Sequence, residues 1–129
     1  MEDIFKDAEV ISAYTRADAL EDGVLVDISS LAKEAGFNAP VAVTRALFEI
    51  LDPTDDLKSE GQDFEGRAWD MLWILRSAIR KSNYPDQTHF APLFILKPNG
   101  KPEPVKMWAQ AGPGDNMELV ITVMLEGED

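Results

Sequence analysis

The spacing of apolar residues predicts one long amphipathic helix, Phe64–Lys81. Successive residues of an α-helix are rotated by about 100°, and at that spacing most of the apolar side chains fall on one broad face. They are Ala68, Met71, Leu72, Ile74, Leu75, Ala78 and Ile79. Arg80 and Lys81 occupy the last turn, where cations are favoured by the helix dipole. We therefore expect this helix to cover the core with its apolar face.

Shorter elements are predicted before the long helix. Thr15 and Asp18 have the spacing of a capping box, which predicts a short helix that ends at Gly23. The extended segments and helices expected next are, in chain order, residues 24–28, 29–35, 40–43 and 45–51. Residues 52–63 contain Pro53 and Gly61 and few apolar side chains, so they are expected to form a loop.

Three strands are predicted after the long helix, over residues 90–97, 105–111 and 117–125. The last two alternate apolar and polar positions, which is typical of strands with one face on a core. Asn99-Gly100 separates the first two strands, and this dipeptide favours tight hairpin turns. The pattern predicts an α+β fold in which the long helix packs on a three-stranded antiparallel meander, with residues 1–129 as a single domain.

Composition excludes several classes of protein. Forty-five per cent of the 129 residues are hydrophobic, which is too apolar for a disordered chain. With no cysteine and one histidine, a disulfide framework, a thiol nucleophile and a cysteine-rich zinc site are excluded. We assign no cofactor, no metal ligands and no catalytic residues, and an enzyme is less expected than a binding protein. Residues 1–7 lack a signal-peptide pattern, and no apolar run approaches the roughly 20 residues that span a bilayer, so we expect a cytoplasmic protein that does not bind membranes.

The charge is concentrated in one half of the chain. The net charge is -12, and residues 1–66 carry 16 acidic and 5 basic side chains, whereas residues 67–129 carry 8 and 7. This balance opposes direct nucleic-acid binding, because affinity for phosphate comes from lysine and arginine. It favours instead a partner with a basic surface.

Two sets of residues are candidates for binding a protein partner. Trp69, Trp73, Arg76 and Arg80 lie within about 60° of one another on the predicted helix, and tryptophan and arginine are enriched at binding hot spots. The alternative is that both tryptophans pack under the N-terminal elements and the arginines cover their edges. The second set is acidic and consists of Asp52, Asp55, Asp56, Glu60, Asp63 and Glu65. It is interpreted either as a decoy surface for a nucleic-acid-binding protein or as a solvated loop, and its spacing does not match a calcium-binding loop.

A third set of residues supports an alternative function. Its members are Tyr14, Arg16, Glu21, Asp22 and Asp27. Carboxylates and an arginine that converge beside a strand are typical of a small-ligand site or a small enzyme. Helix capping and a local pairing between the arginine and a carboxylate account for the same residues, so both interpretations remain open. A homodimer formed through the tryptophan-bearing helix or the edge of the meander is also possible.

Several short motifs resemble those of a known family. They are Tyr14-Thr15-Arg16-Ala17, Glu21-Asp22-Gly23-Val24-Leu25-Val26-Asp27, Ala35-Gly36-Phe37, Pro40-Val41-Ala42-Val43-Thr44-Arg45-Ala46, Trp69-Asp70-Met71-Leu72-Trp73, Gly112-Pro113-Gly114-Asp115 and Gly127-Glu128-Asp129. On these motifs the chain resembles a small uncharacterised family of phage and plasmid proteins. The sequence departs from the family at Glu126, where proline is expected, and within residues 52–63.

The resemblance implies no reaction, cofactor or catalytic residue. It implies an accessory protein of a mobile element, for example one that interferes with a host or defence protein. Together with the uneven charge and the tryptophan–arginine stripe, this favours a protein that acts by binding a macromolecular partner, and the alternative is the small-ligand or enzymatic function at the third set of residues.

Overall fold

The computed structural model describes residues 14–128, which form helices and strands of an α+β fold, as predicted. The helices are α1 (Arg16–Asp22), α2 (Ser29–Glu34), α3 (Arg45–Leu51), α4 (Asp55–Ser59) and α5 (Phe64–Lys81). The strands are β1 (Leu25–Asp27), β2 (Val41–Thr44), β3 (Gln87–Phe90), β4 (Leu93–Ile95), β5 (Pro102–Pro104), β6 (Met107–Pro113) and β7 (Leu119–Leu125). No helix within residues 14–128 combines the length and the apolar character needed to cross a membrane.

The main sheet is mixed and has five strands in the order β1-β2-β7-β6-β3. The two N-terminal strands pair with each other, and β2 then pairs in parallel with β7, with Val43 opposite Val123. The remaining pairs, β7 with β6 and β6 with β3, are antiparallel. The extended segments of the N-terminal half therefore complete the same sheet as the C-terminal strands.

The prediction of a single strand over residues 90–97 is wrong. Phe90 ends β3, which pairs with β6, whereas β4 begins at Leu93 and pairs with β5 in a separate two-stranded sheet. Pro92 lies between the two strands, and proline has no N–H to donate to a strand ladder. The Asn99-Gly100 turn accordingly connects β4 to β5 rather than to β6.

Helix α5 has the predicted bounds and provides one wall of the core. Its N-cap is Asp63, whose side chain accepts a hydrogen bond from the N–H of Gly66 at 2.7 Å. Four apolar side chains of its inward face are fully buried against the sheet and the shorter helices, namely Ala68, Met71, Leu72 and Leu75. Ile74 was predicted on this face but is 40% exposed, because it lies at the edge of the apolar stripe.

The sequence predicted the short helices α1, α2 and α3 but not α4. Thr15 and Asp18 form the predicted capping box of α1, which ends at Gly23 with φ of 79°. Thr44 caps α3 by accepting a hydrogen bond from the N–H of Leu47. The expected loop over residues 52–63 is wrong in part, because it contains α4, which buries Leu57 in the protein interior.

Candidate functional site

The outward side of α5 carries an exposed apolar surface that we call the Trp face, made of Trp69, Trp73, Ile74 and Leu93. Residues 69 and 73 are four positions apart, so their side chains are neighbours on the helix. Trp73 is 45% exposed and Leu93, at the start of β4, is 59% exposed, whereas Trp69 is half-buried. Contiguous exposed apolar surface is typical of interaction sites.

The orientation of Trp73 is fixed by its neighbours. The rings of Trp69 and Trp73 meet edge to face with their centroids 5.9 Å apart, and the guanidinium carbon of Arg76 lies 5.3 Å from the Trp73 centroid. Gly36 supports the other side of Arg76, because a Cβ at this position would be 3.0 Å from the guanidinium carbon. The structure thus brings Trp69, Trp73 and Arg76 into one cluster, while Arg80 lies exposed near the end of the helix.

Three depressions surround the Trp face. The Trp groove, of about 470 Å³, is lined by Trp69, Asp70, Trp73, Ile74 and Leu93 among others. The acidic groove, of about 500 Å³, lies between α2 and α5 and is lined by Leu31, Glu34, Asp63, Glu65, Trp69 and Asp70 among others. The Arg67 cavity, of about 330 Å³, lies between the first turns of α5 and strands β4 and β5. Asp70 lines all three depressions, so this residue lies where they meet.

The six acidic residues predicted as one site are divided between two places. Asp63 and Glu65 line the acidic groove beside Trp69. The other four lie on or next to α4, and two of them have local partners. Lys58 forms an ion pair with Asp52 at 3.5 Å, and Glu60 accepts a hydrogen bond from the N–H of Asn99 at 3.1 Å. Within residues 14–128, no group of three or more histidine, aspartate and glutamate side chains has the arrangement of a metal site.

Of the third predicted set, the structure brings only Tyr14 and Asp22 into direct contact. Tyr14 donates to the carboxylate of Asp22 at 2.8 Å, and this hydrogen bond raises the pKa of Tyr14. Arg16 points to β7 and donates to Thr122 Oγ1 at 2.6 Å, and its burial lowers the pKa of the guanidinium. Asp27 accepts hydrogen bonds from the N–H and the hydroxyl of Ser29. Glu21 is exposed on α1. These residues are therefore engaged in separate local contacts.

The N-terminus of α1 is held by Asp115, in the turn between β6 and β7. Its carboxylate accepts hydrogen bonds from the backbone N–H groups of Ala17 at 3.0 Å and Arg16 at 2.9 Å, and these bonds lower the pKa of Asp115. Asp115 is the last residue of the family-like motif Gly112-Pro113-Gly114-Asp115, which lies where β6 ends and the turn to β7 begins. An acidic residue in such a turn is the one local signal of this role, since carboxylates are favoured at helix N-termini.

Comparison with known proteins identifies the family and no function. A family model described as a family of unknown function, DUF6573, matches residues 1–129. The chain belongs to this family. Searches of curated proteins and of solved structures found no match. The match therefore shows membership of an uncharacterised family and nothing finer, and the candidate site depends on the geometry of its own residues.

Sequence reasoning missed Arg67, the buried arginine of this DUF6573 chain. Arg67 is 4% exposed and donates to the backbone carbonyl oxygens of Ile50, at 2.7 Å, and Ile95. Its guanidinium also lies over the ring of Phe94, and burial lowers its pKa. The available signal was its position four residues before Met71, which places it on the inward face. Arg67 joins α3, α5 and β4 and so supports the floor of the candidate site.

Proposed function

We propose that this protein binds a basic protein partner through the Trp face. The observation that carries the proposal is the exposed indole of Trp73, which Trp69 and Arg76 hold in one orientation. Binding hot spots are enriched in tryptophan, and a side chain that is already ordered loses little conformational entropy when a partner covers it. Ile74 and Leu93 extend the apolar contact on either side.

The charge around the Trp face supports a basic partner. The two grooves that flank Trp69 are lined by the carboxylates of Glu34, Asp63, Glu65 and Asp70. Among the described residues, no lysine or arginine lines either groove. Complementary charge raises the association rate and selects the partner, while the apolar contact supplies most of the affinity. The net charge of -12 acts in the same direction over a longer range.

The finer form of this proposal concerns the partner's identity. The resemblance of the motifs to phage and plasmid proteins supports a partner among host or defence proteins, with this chain as an accessory protein of a mobile element. If the partner's basic surface normally holds nucleic acid, the acidic residues of this chain act there as a decoy. The decoy form predicts that double-stranded DNA competes with this protein for the partner, and that added salt weakens the complex steeply.

The experiment is a comparative capture from host lysate with the immobilised full chain. Trp73→Ala is compared with Tyr84→Ala, a matched control because Tyr84 is 75% exposed and lies outside the Trp face. We expect at least one basic protein to be retained by the wild type and the control and to be reduced at least about tenfold by Trp73→Ala, since hot-spot truncations cost about 2 kcal/mol or more.

Two results would contradict the proposal. One is that the wild type and Trp73→Ala retain the same proteins in the same amounts at low and moderate salt. The other is that the Trp face pairs with a second copy of the chain, which light scattering would show as a dimer that Trp73→Ala converts to a monomer.

A further inference from the structure

The acidic groove continues beyond the Trp face along the contact between α2 and α5. A neighbouring cavity of about 290 Å³ is lined by Asp27, Ile28, Ser30, Phe64 and three residues that also line the acidic groove. The shared residues are Leu31, Glu34 and Glu65. The two depressions therefore adjoin along α2 and α5, from near Asp27 to Trp69, and together we call them the α2–α5 channel.

The floor of this channel is apolar and well supported. Leu31, Phe64 and Trp69 are half-buried and pack against the core on one side while they line the channel on the other. The ring of Phe64 lies 5.3 Å from that of Phe48, a distance at which aromatic rings attract each other. A floor of this kind accepts apolar side chains of a ligand without rearrangement of the core.

The walls of the channel carry acidic side chains from both helices. Glu34 belongs to α2, whereas Glu65 and Asp70 belong to α5, and none of the three forms an ion pair or accepts a side-chain hydrogen bond from another residue within 14–128. Among the described residues, no lysine or arginine lines the channel. A lysine or arginine side chain of a ligand would therefore meet acidic residues of both helices and no competing cation.

We infer that the α2–α5 channel binds a short segment of the partner that presents apolar side chains to the floor and lysine or arginine side chains to both walls. The α5 residues that line the channel, 64–70, extend about 9 Å, which is the length of about three extended residues or six helical ones. The inference rests on the proposed function and names the chemistry of the bound segment. The Trp face then holds the partner at one end of a longer contact.

The experiment uses the full chain and synthetic peptides as defined probes. The test peptide has twelve residues with leucine and tryptophan anchors flanked by arginine and lysine, and the control peptide has the same anchors flanked by glutamate. Binding is followed by the indole N–H resonances of Trp69 and Trp73. Trp108 is an internal reference, because its indole N–H already donates to the carbonyl oxygen of Glu128 at 3.2 Å.

Charge reversal locates the peptide in the channel. E34K/E65K reverses one charge on each wall, and E103K/E126K makes the same change of net charge at exposed sites outside the channel. We expect the basic peptide to shift the Trp69 resonance in the wild type, and E34K/E65K to weaken its binding at least tenfold. We expect E103K/E126K to change binding less than threefold. E34Q/E65Q provides the same comparison if lysine at these sites prevents folding.

The possible failures separate the two proposals. If the basic peptide leaves Trp69 unshifted, or if both charge-reversed variants lose affinity equally, the channel is not the binding site. If Trp73→Ala abolishes partner capture but E34K/E65K retains the partner fully, the proposed function stands and the channel inference is wrong. If neither variant changes capture, both are wrong.

Discussion

Each side of α5 carries one residue that departs from the usual distribution in an amphipathic helix. On the inward side Arg67 is 4% exposed, and on the outward side Trp73 is 45% exposed. The arginine is buried because two carbonyl oxygens, of Ile50 and Ile95, need donors there. The tryptophan is outside because Leu72 and Leu75 already fill the core side of the helix. A buried charged residue and an exposed large apolar residue each require a specific cause. For Arg67 the explanation is structural, and for Trp73 we propose binding.

The largest effect on stability is expected from a substitution on the inward side of α5. Arg67→Met removes the donors to two carbonyl oxygens, and each unpaired buried group costs about 1–3 kcal/mol. We therefore expect the free energy of unfolding, measured with urea, to fall by about 2–4 kcal/mol. The matched control is Arg80→Met, the same substitution at an exposed position of α5, with an expected change within about 0.5 kcal/mol. Equal free energies of unfolding for Arg67→Met and the wild type would contradict a structural role for Arg67.

A smaller effect on stability is expected from the outward side. Trp73→Ala removes a side chain that is partly exposed, so the free energy of unfolding should fall by less than about 1 kcal/mol. Its neighbour Leu72 is fully buried, and Leu72→Ala should cost about 2–5 kcal/mol. The two adjacent substitutions, measured in the same urea titration, test the comparison directly. If they destabilise the protein equally, Trp73 is a core residue and its assignment to a binding surface fails.

The smallest effect on stability is expected from lowering the pH. Acid protonates Asp115 at the N-terminus of α1 and leaves the charge of Arg67 unchanged. The pKa of Asp115 is lowered in the folded protein by the N–H groups of Ala17 and Arg16, so its carboxylate stabilises the fold above the unfolded pKa. That contribution is lost as the pH falls below about 4, where the unfolded chain binds its proton, and through the lower pKa of the folded protein. Asp115→Asn should therefore be less stable than the wild type at pH 7, with a difference that narrows toward pH 3.

Hydrogen exchange provides the measurement for this last prediction. Amides of α1 should exchange faster in Asp115→Asn than in the wild type at pH 7, while amides of α5 should not change. Faster exchange in both helices would mean that α1 and α5 unfold together. It would contradict a stabilising effect of Asp115 that is confined to α1.

Features set by local residues were predictable, and features set by distant contacts were not. The bounds of α5 follow from the periodicity of its apolar residues, and those of α1 from Thr15 and Gly23. The parallel pairing of β2 with β7 joins residues about 80 positions apart, and no local pattern specifies it. The division of residues 90–97 into two strands depends on Pro92 and on the different strands, β6 and β5, with which the two parts pair.

The candidate site shows the same division. The wheel position of Trp69, Trp73 and Arg76 predicted their proximity, because all three belong to one helix. Glu34 and Leu93 come from α2 and β4, and only the folded chain places them beside the tryptophans. Asp70 was within reach of sequence reasoning, since it lies next to Trp69 on the outward side, but a single carboxylate on an exposed helix has no distinctive pattern.

The position of β7 within the main sheet has a consequence for how the chain folds during synthesis. Strands β1 and β2 are connected to the rest of the sheet only through β7, the last strand of residues 14–128. Until residue 125 has left the ribosome, the apolar strand β2 lacks its parallel neighbour and presents an open edge. Open edges of nascent sheets are sites of misassembly and chaperone contact. The completed sheet is therefore expected to form only after β7 has emerged.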